Sequence, residues 1–205
     1  MTKPFPAIAI LEFSDIPAGL FATDAMLKKA PIAFIQTGTI TEGRFLTLIG
    51  GSTASVAESY EEGLLWGGPS IWDHVFLPDV HTDIFNAVFH QTRMKGNLAI
   101  AVLESDSVSL TIQALEKALK GTGIHLIEVR LADAGLAGKG VAIVEGELYD
   151  VEEAMHIAES WIAHAGKTAT WKILSQPHDA LVRQLAEGTR FSANPGLKLE
   201  GETVS

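Results

Sequence analysis

The stretch "ITEGRFLTLIGG", residues 40–51, places a small polar tip in front of an apolar run that ends in glycine. The chain repeats this arrangement at residues 136–147, "LAGKGVAIVEGE", where a glycine and a cation precede a second apolar run. Glycine beside small polar residues, followed by an apolar run, is typical of a tight turn that leads into a buried strand. Two such turns in one chain indicate an internal duplication, which determines how the rest of the sequence divides.

The segments around these turns repeat as well. From Ala9 and from Ala101 the chain aligns with itself at a constant offset of 92 residues, and helix-spaced apolar positions coincide. Beyond the polar tip the offset becomes 95 residues, so the second copy carries three additional residues there. A period of about half the chain predicts two homologous domains and excludes a solenoid of short units. The aligned apolar pairs are Ile16 with Val108, Leu20 with Ile112, Leu27 with Leu119 and Ile35 with Ile127.

Each copy predicts the same order of elements. Copy one has strands at 7–13, 32–40, 45–49 and 71–77, with helices between Asp15 and Pro31, at 53–64 and at 82–89. Copy two has strands at 98–104, 124–131, 141–145 and 170–174, with helices at 108–120, 151–164 and 178–187. The order strand-helix-strand-strand-helix-strand predicts an α+β fold made of two tandem ferredoxin-like βαββαβ domains. We expect the first domain at residues 1–92, the second at 93–191 and a flexible tail at 192–205.

Composition limits the classes of partner and location. The 205 residues carry a formal net charge of −10, so neither nucleic acid nor an anionic membrane is an expected partner. No run reaches the roughly 18–20 apolar residues of a membrane span, and the N-terminus lacks the features of a signal peptide. The chain has no cysteine, which excludes disulfides, thiolate nucleophiles and cysteine-ligated clusters. A cytoplasmic protein is expected.

Short motifs that suggest chemistry lack the required context. "AGKT" at 165–168 matches the end of a phosphate-binding loop, but Trp161 stands where that loop needs glycine and the segment follows a helix. "GLAGKG" at 135–140 lies between predicted strands, where a tight turn is expected. The seven histidines include no HExxH pair, and Asp79 and Asp83 are explained as anions at a helix start. We predict no catalytic residue, no metal site and no cofactor, and therefore no enzyme.

Both copies resemble the bacterial microcompartment shell domain, or BMC domain, and the whole chain resembles an unpermuted tandem-domain shell protein. The resemblance covers about residues 7–190 and rests on segments that occur in the family's order twice. In copy one these segments are "AIAILEF", "ATDAMLKKAPIAFI", "ITEGRFLTLIGG" and "FLPDVH". In copy two they are "AIAVLES", "IHLIEVRLADAGLAGKGVAIVEGELYDVEEA" and "SQPHDAL".

The resemblance implies a homotrimer whose six domains imitate a hexameric tile, packed edge to edge with neighbouring shell proteins. The unpermuted order favours a single layer, and two stacked trimers stay open as the alternative. It places the loop between the second and third strands of each domain at a central pore that passes small metabolites. An ordinary hairpin loop on a monomer is the alternative, as is a ferredoxin-like small-molecule sensor or regulatory protein for the whole chain. The implied pore-lining residues are Thr41, Glu42, Gly43, Leu136, Ala137 and Gly138, with Arg44 and Lys139 near the pore.

The resemblance also implies residues at the tile edge, with one departure from the family. Asp79 and Gln176 stand where hexameric shell proteins usually carry an arginine, so edge contacts are expected to differ in part. For Lys28 and Lys120 a solvated cation favoured by the helix dipole is an equally open alternative. Without cysteine, the iron–sulfur cluster that some tandem shell proteins hold at the pore is excluded. The implied edge residues are Lys28, Lys120, Asp79, His81, Gln176 and His178.

Overall fold

The computed structural model of the chain describes residues 5–89, 94, 98–133, 135–190, 194, 195 and 197. Its first half contains β1 (Ala7–Phe13), α1 (Ile16–Lys29), β2 (Phe34–Thr39), β3 (Phe45–Gly51), α2 (Thr53–Gly67), β4 (Ile71–Leu77) and α3 (Thr82–Val88). The second contains β5 (Ala99–Ser105), α4 (Val108–Gly121), β6 (His125–Leu131), β7 (Gly140–Gly146), α5 (Leu148–His164), β8 (Ala169–Leu174) and α6 (Asp179–Ala186). The predicted element order is confirmed in both halves. Most of the predicted tail, 192–205, and of the segment 90–97 between the halves lies outside the described residues.

Each half forms one four-stranded sheet with the strand order expected of a ferredoxin-like domain. The orders are β2-β3-β1-β4 and β6-β7-β5-β8, and all neighbouring strands are antiparallel. The first strand of each half therefore lies inside its sheet, which explains the near-continuous apolar runs "AIAILEF" and "AIAVLES". The predicted α+β class, with two tandem ferredoxin-like domains, is confirmed.

Side-chain caps fix the start of the first helix in each half. The carboxylate of Asp15 accepts a hydrogen bond from the Ala18 amide at 2.9 Å, and Pro17 occupies the first turn of α1. In the second half the Ser107 hydroxyl accepts from the Leu110 amide at 3.0 Å. Such caps satisfy amides that have no partner inside the helix, so both helices begin at the same point of the repeat.

Strand register locates the additional residues of the second copy. The connection between β2 and β3 spans residues 40–44, whereas that between β6 and β7 spans 132–139, so the length difference lies at the polar tip as predicted. Within β6 the register shifts between Leu126 and Glu128. Leu126 pairs with Val144 as Ile35 pairs with Ile49, and Ile127 is the extra residue of a bulge. The predicted equivalence of Ile35 with Ile127 is therefore wrong by one residue.

The two domains share one hydrophobic cluster. Helix α3 of the first domain packs against β6 of the second, and α4 of the second packs against β4 of the first. Ile84 and Phe85 on α3 and Ile112 and Leu119 on α4 are all buried in this cluster. A smaller cluster around Phe13 lies within the first domain. The domains are thus packed together through apolar faces and not merely joined by the chain.

Candidate pore loops and the junction between the domains

The two predicted pore loops both contain left-handed backbone. Residues Thr41–Gly43 form a short 3₁₀ turn in which Glu42 has φ 65° and Gly43 has φ 71°. In the second copy Ala137 has φ 46° and Gly138 has φ 76°. A residue with a Cβ rarely adopts this region, so Glu42 and Ala137 are held there by their surroundings.

The two loops of one chain lie side by side. The Thr41 amide donates to the carbonyl oxygen of Ala132 at 3.3 Å, and the Thr41 hydroxyl donates to the same oxygen at 3.1 Å. The hydroxyl also accepts from the Gly138 amide at 2.7 Å. A hydroxyl has one donor and two acceptor sites, so Thr41 can bridge both ends of the second loop. The structure therefore brings together residues that the sequence separates by about half its length.

Arg44 is buried behind the loops. Its side chain is 5% exposed, with Nη1 3.5 Å from Glu12 Oε2 and Nη2 3.9 Å from Glu42 Oε2. The guanidinium carbon lies 4.8 Å from the ring centroid of Trp72. By contrast, the Glu42 side chain is 59% exposed. The cation therefore lies beneath the surface while the carboxylate faces solvent.

Glu12 is a buried charged residue that the sequence reasoning missed. It lies in the central strand β1, and its Oε1 accepts from the Ser109 amide of the second domain at 2.8 Å. Burial raises the pKa of Glu12, against the opposing effects of the Ser109 hydrogen bond and the Arg44 charge. The available signal was a single acidic residue within the otherwise apolar run "AIAILEF".

The second domain repeats the pairing between a central-strand glutamate and the cation that follows the loop. Lys139 Nζ lies 2.6 Å from Glu104 Oε1 in β5, and this hydrogen bond raises the pKa of Lys139. Both groups are partly exposed, so the pair contributes little to stability. The cation predicted near each pore loop therefore forms an ion pair with a glutamate of its own domain.

Gly138 is expected to tolerate a methyl group less well than Gly43, although both have positive φ. A Cβ on Gly138 would lie 1.4 Å from Arg44 Nη2, whereas a Cβ on Gly43 would meet nothing within 4 Å. Gly43→Ala should lower the free energy of unfolding by roughly 1–2 kcal/mol through backbone strain alone. Gly138→Ala should lower it by about 1.5–3 kcal/mol more, because the Arg44 guanidinium must leave its charged partners. Urea denaturation of both variants measures the difference, and equal losses would contradict the packing of Arg44 against the second loop.

The predicted edge residues fall into two environments. Lys120 pairs with Glu116 and donates from Nζ to the Asp79 carbonyl oxygen at 3.1 Å. The His81 amide donates to Glu116 Oε2 at 3.0 Å. Lys120, Asp79 and His81 therefore meet at the junction of the two domains, whereas Lys28 pairs with Asp24 of its own helix.

His81 and His178 have the same local role in the two domains. The Nδ1 atom of His81 accepts from the Asp83 amide at 3.2 Å, and that of His178 accepts from the Ala180 amide at 3.1 Å. Each imidazole thus caps the last helix of its domain. Gln176 lies two residues before the second of these caps. The tile-edge role of all six residues stays a prediction.

Among the residues that the structure describes, no group of three or more histidine or acidic side chains is arranged to hold a metal ion. None of the described helices is both long enough and apolar enough to cross a bilayer.

This chain is similar to several proteins of bacterial microcompartments. The family model for the BMC domain matches residues 7–80 and 99–177. The bacterial microcompartment shell protein PduT of Citrobacter freundii is 31% identical over 182 residues, which cover 89% of this chain and 98% of that protein. The crystal structure of a microcompartment protein from Desulfitobacterium hafniense superposes with a TM-score of 0.76 at 27% identity, over 87% of this chain and 99% of that one. A fused permuted hexameric shell protein of the RMM microcompartment shares the fold at 20% identity, with a TM-score of 0.53 over 76% of this chain and 81% of that one.

The chain therefore belongs to the BMC-domain family of bacterial microcompartment shell proteins. Within that family it is a tandem-domain member, with two BMC domains in one polypeptide. The match confirms the predicted class, and it makes the role of the chain structural rather than catalytic.

Proposed function

We propose that three copies of the chain form a pseudohexameric tile of a cytoplasmic microcompartment shell, with a central pore lined by six loops. The observation that carries this proposal is the contact between the two loops of one chain, in which Thr41 bonds both Ala132 and Gly138. Two homologous domains whose loops lie side by side make up one third of a ring of six domains. Two further copies close it, with each domain at 1–92 and 93–191 acting as one wedge.

In this tile the pore-lining residues come from both loops of every protomer. Thr41, Glu42 and Gly43 alternate around the axis with Leu136, Ala137 and Gly138. Arg44 and Lys139 lie just behind them, held by Glu12 and Glu104. The outer edges meet neighbouring shell proteins, and small metabolites cross the shell through the pore.

The charge of the loops favours neutral or cationic metabolites over anions. Three exposed Glu42 carboxylates lie around the axis, while the neighbouring Arg44 cation is buried and shared with Glu12. Like charges 4 Å apart repel by about 1 kcal/mol in water, and by more where solvent is restricted. A carboxylate ring persists when water or cations fill the opening, and charged rings of this kind select ions in other pores.

Glu42→Gln is the variant that tests this pore. We expect anion entry into assembled shells to rise several-fold at low salt and the difference to fade at high salt, because salt screens the ring. Glu58→Gln, which removes one charge from the exposed face of α2, should leave anion entry unchanged. If Glu42→Gln leaves flux unchanged at both salt concentrations, Glu42 does not line a conducting pore.

A further inference from the structure

A cavity of about 230 Å³ lies between the two domains of one chain. The first domain contributes β2, β3 and the end of α3 to its wall, and the second contributes β6 and the segment that follows α6. Much of the wall is apolar, so the cavity suits a ligand with a hydrocarbon part. The apolar side chains in the wall are Leu46, Leu48, Val88, Val129 and Leu131.

The cavity is open at Gly38 because this residue has no side chain. Gly38 pairs with Leu46 across the antiparallel strands β2 and β3, so a side chain at either position lies on the same face of the sheet. A Cβ on Gly38 would meet nothing within 4 Å. Gly38 lies within a regular strand and is not among the described residues with positive φ, so its backbone does not require glycine. What glycine provides at this position is space.

The second domain has a long charged side chain at the equivalent position. Arg130 in β6 pairs with Val141, which stands 95 residues after Leu46. It is therefore the repeat equivalent of Gly38. The Arg130 side chain is buried, and its Nε and Nη2 donate to Asp133 Oδ1 at 2.9 and 2.6 Å. The open space is thus a difference between the two copies and not a general property of the domain.

The polar side of the cavity offers donors more than acceptors. Arg190 lies in the wall with its side chain 45% exposed, and it donates from Nη2 to Asp133 Oδ2. Because Arg130 binds the other oxygen, both carboxylate oxygens of Asp133 are engaged. A guanidinium has five donors, and among the residues that the structure describes Arg190 binds only Asp133. Gln36 and Thr39 add an amide and a hydroxyl to this side. An occupant is therefore expected to supply acceptors.

We propose that this cavity binds a short-chain carboxylate, with the alkyl chain over Gly38 and the carboxylate on Arg190. At roughly 30 Å³ for each water-sized group, the volume admits about seven or eight non-hydrogen atoms, which is the size of pentanoate. The planar fork of a guanidinium matches the two oxygens of a carboxylate. The site lies within one chain, so it goes beyond the proposed tile and does not depend on it.

Titration of the whole chain with sodium pentanoate at constant ionic strength, followed by ligand-detected NMR, tests the site. We expect a dissociation constant on the order of 1 mM, because a ligand of this size has few atoms with which to bind. Pentan-1-ol should bind about tenfold more weakly or worse, because a hydroxyl lacks the charge-assisted pair with the guanidinium. Equal affinity for the alcohol would overturn the carboxylate assignment. Absence of saturable pentanoate binding well above that concentration would overturn the site.

Gly38→Val tests the location by filling the cavity. Valine is favoured in strands, so the far-UV circular dichroism should stay that of the unmodified chain. Pentanoate binding should fall about tenfold or more, because the alkyl chain loses its apolar site. Gly38→Ala adds a single methyl group and should give a smaller loss. Unchanged pentanoate binding by a folded Gly38→Val variant would overturn the location.

Arg190→Gln tests the contact with the carboxylate. Pentanoate binding should fall about tenfold or more, while the affinity for pentan-1-ol should stay the same. The matched control is Arg183→Gln, which removes the same charge from an exposed position on α6 outside the cavity and should leave pentanoate binding unchanged. Equal losses in both arginine variants would show unspecific attraction of anions and overturn the site. Light scattering of each variant separates the site from the tile, because binding should be lost without a change in molar mass.

Discussion

Replacing Leu20 and Leu27 together by glutamate is expected to convert the assembled protein into folded monomers. About half of each side chain is exposed in the single chain, while the equivalent Ile112 and Leu119 are buried. In the proposed tile, covering the remaining area would contribute about 1.5–3 kcal/mol per contact between protomers, or roughly 10- to 100-fold in the dissociation constant. The carboxylates add the cost of burying charge without a partner. Size-exclusion chromatography with light scattering measures the mass, and far-UV circular dichroism reports whether the fold is kept.

Leu65→Glu provides the matched control for this variant. Leu65 is 70% exposed on α2, and its repeat equivalent, Ser160, is exposed as well. The repeat therefore assigns no partner to this position, so its replacement should leave the oligomer unchanged. An oligomer of unchanged mass for the double variant would show that the α1 face is not an interface between protomers. Dissociation by Leu65→Glu as well would show that the effect of added charge is unspecific.

The fragment 1–92 is expected to have no cooperative thermal transition as a monomer. Helix α3 buries four residues, Ile84, Phe85, Ala87 and Val88, and it packs against β6 of the second domain. Exposing its three larger side chains gives up at most about 5–9 kcal/mol, which is comparable with the 5–15 kcal/mol that typically stabilises a native domain. Differential scanning calorimetry at low protein concentration tests this directly.

Mixing the fragments 1–92 and 93–205 controls for a simple failure to fold. If the fragment 1–92 fails to fold because it lacks the shared hydrophobic cluster, the two fragments together should regain a cooperative thermal transition. Its temperature should be near that of the whole chain, because the junction can form without the covalent link. A cooperative, monomeric transition for 1–92 alone would show that the first domain is stable by itself. The first domain would then not depend on the hydrophobic cluster that it shares with the second.

The duplication was readable from the sequence because its signals are local. Helical periodicity aligned Leu20 with Ile112 and Leu27 with Leu119, and the polar tips showed where the additional residues lie. Such patterns identify an apolar face, but they do not say what covers it. The structure shows that the face is buried in one copy and exposed in the other, a difference that follows from how the two domains dock.

Other features depended on three-dimensional contacts and could not be predicted. The sequence predicts Arg44 as a cation near a loop, yet its side chain is buried because Glu12 and Trp72 surround it. The bulge at Ile127 changes register by one residue without interrupting the apolar pattern. The bridge from Thr41 to Gly138 joins loops 97 residues apart. No spacing rule relates groups that meet only when two domains pack together.

The molar mass and symmetry of the whole chain in solution decide whether three copies form a ring with both loops at its centre. Light scattering of the untagged protein at micromolar concentration should give three times the 21.9 kDa of one chain, or assemblies of that unit. Averaged electron micrographs of the particles should show three-fold symmetry about a central opening formed by residues 40–44 and 132–139. A mass of 21.9 kDa, or a ring that carries these two loops on its outer edge, would contradict the account.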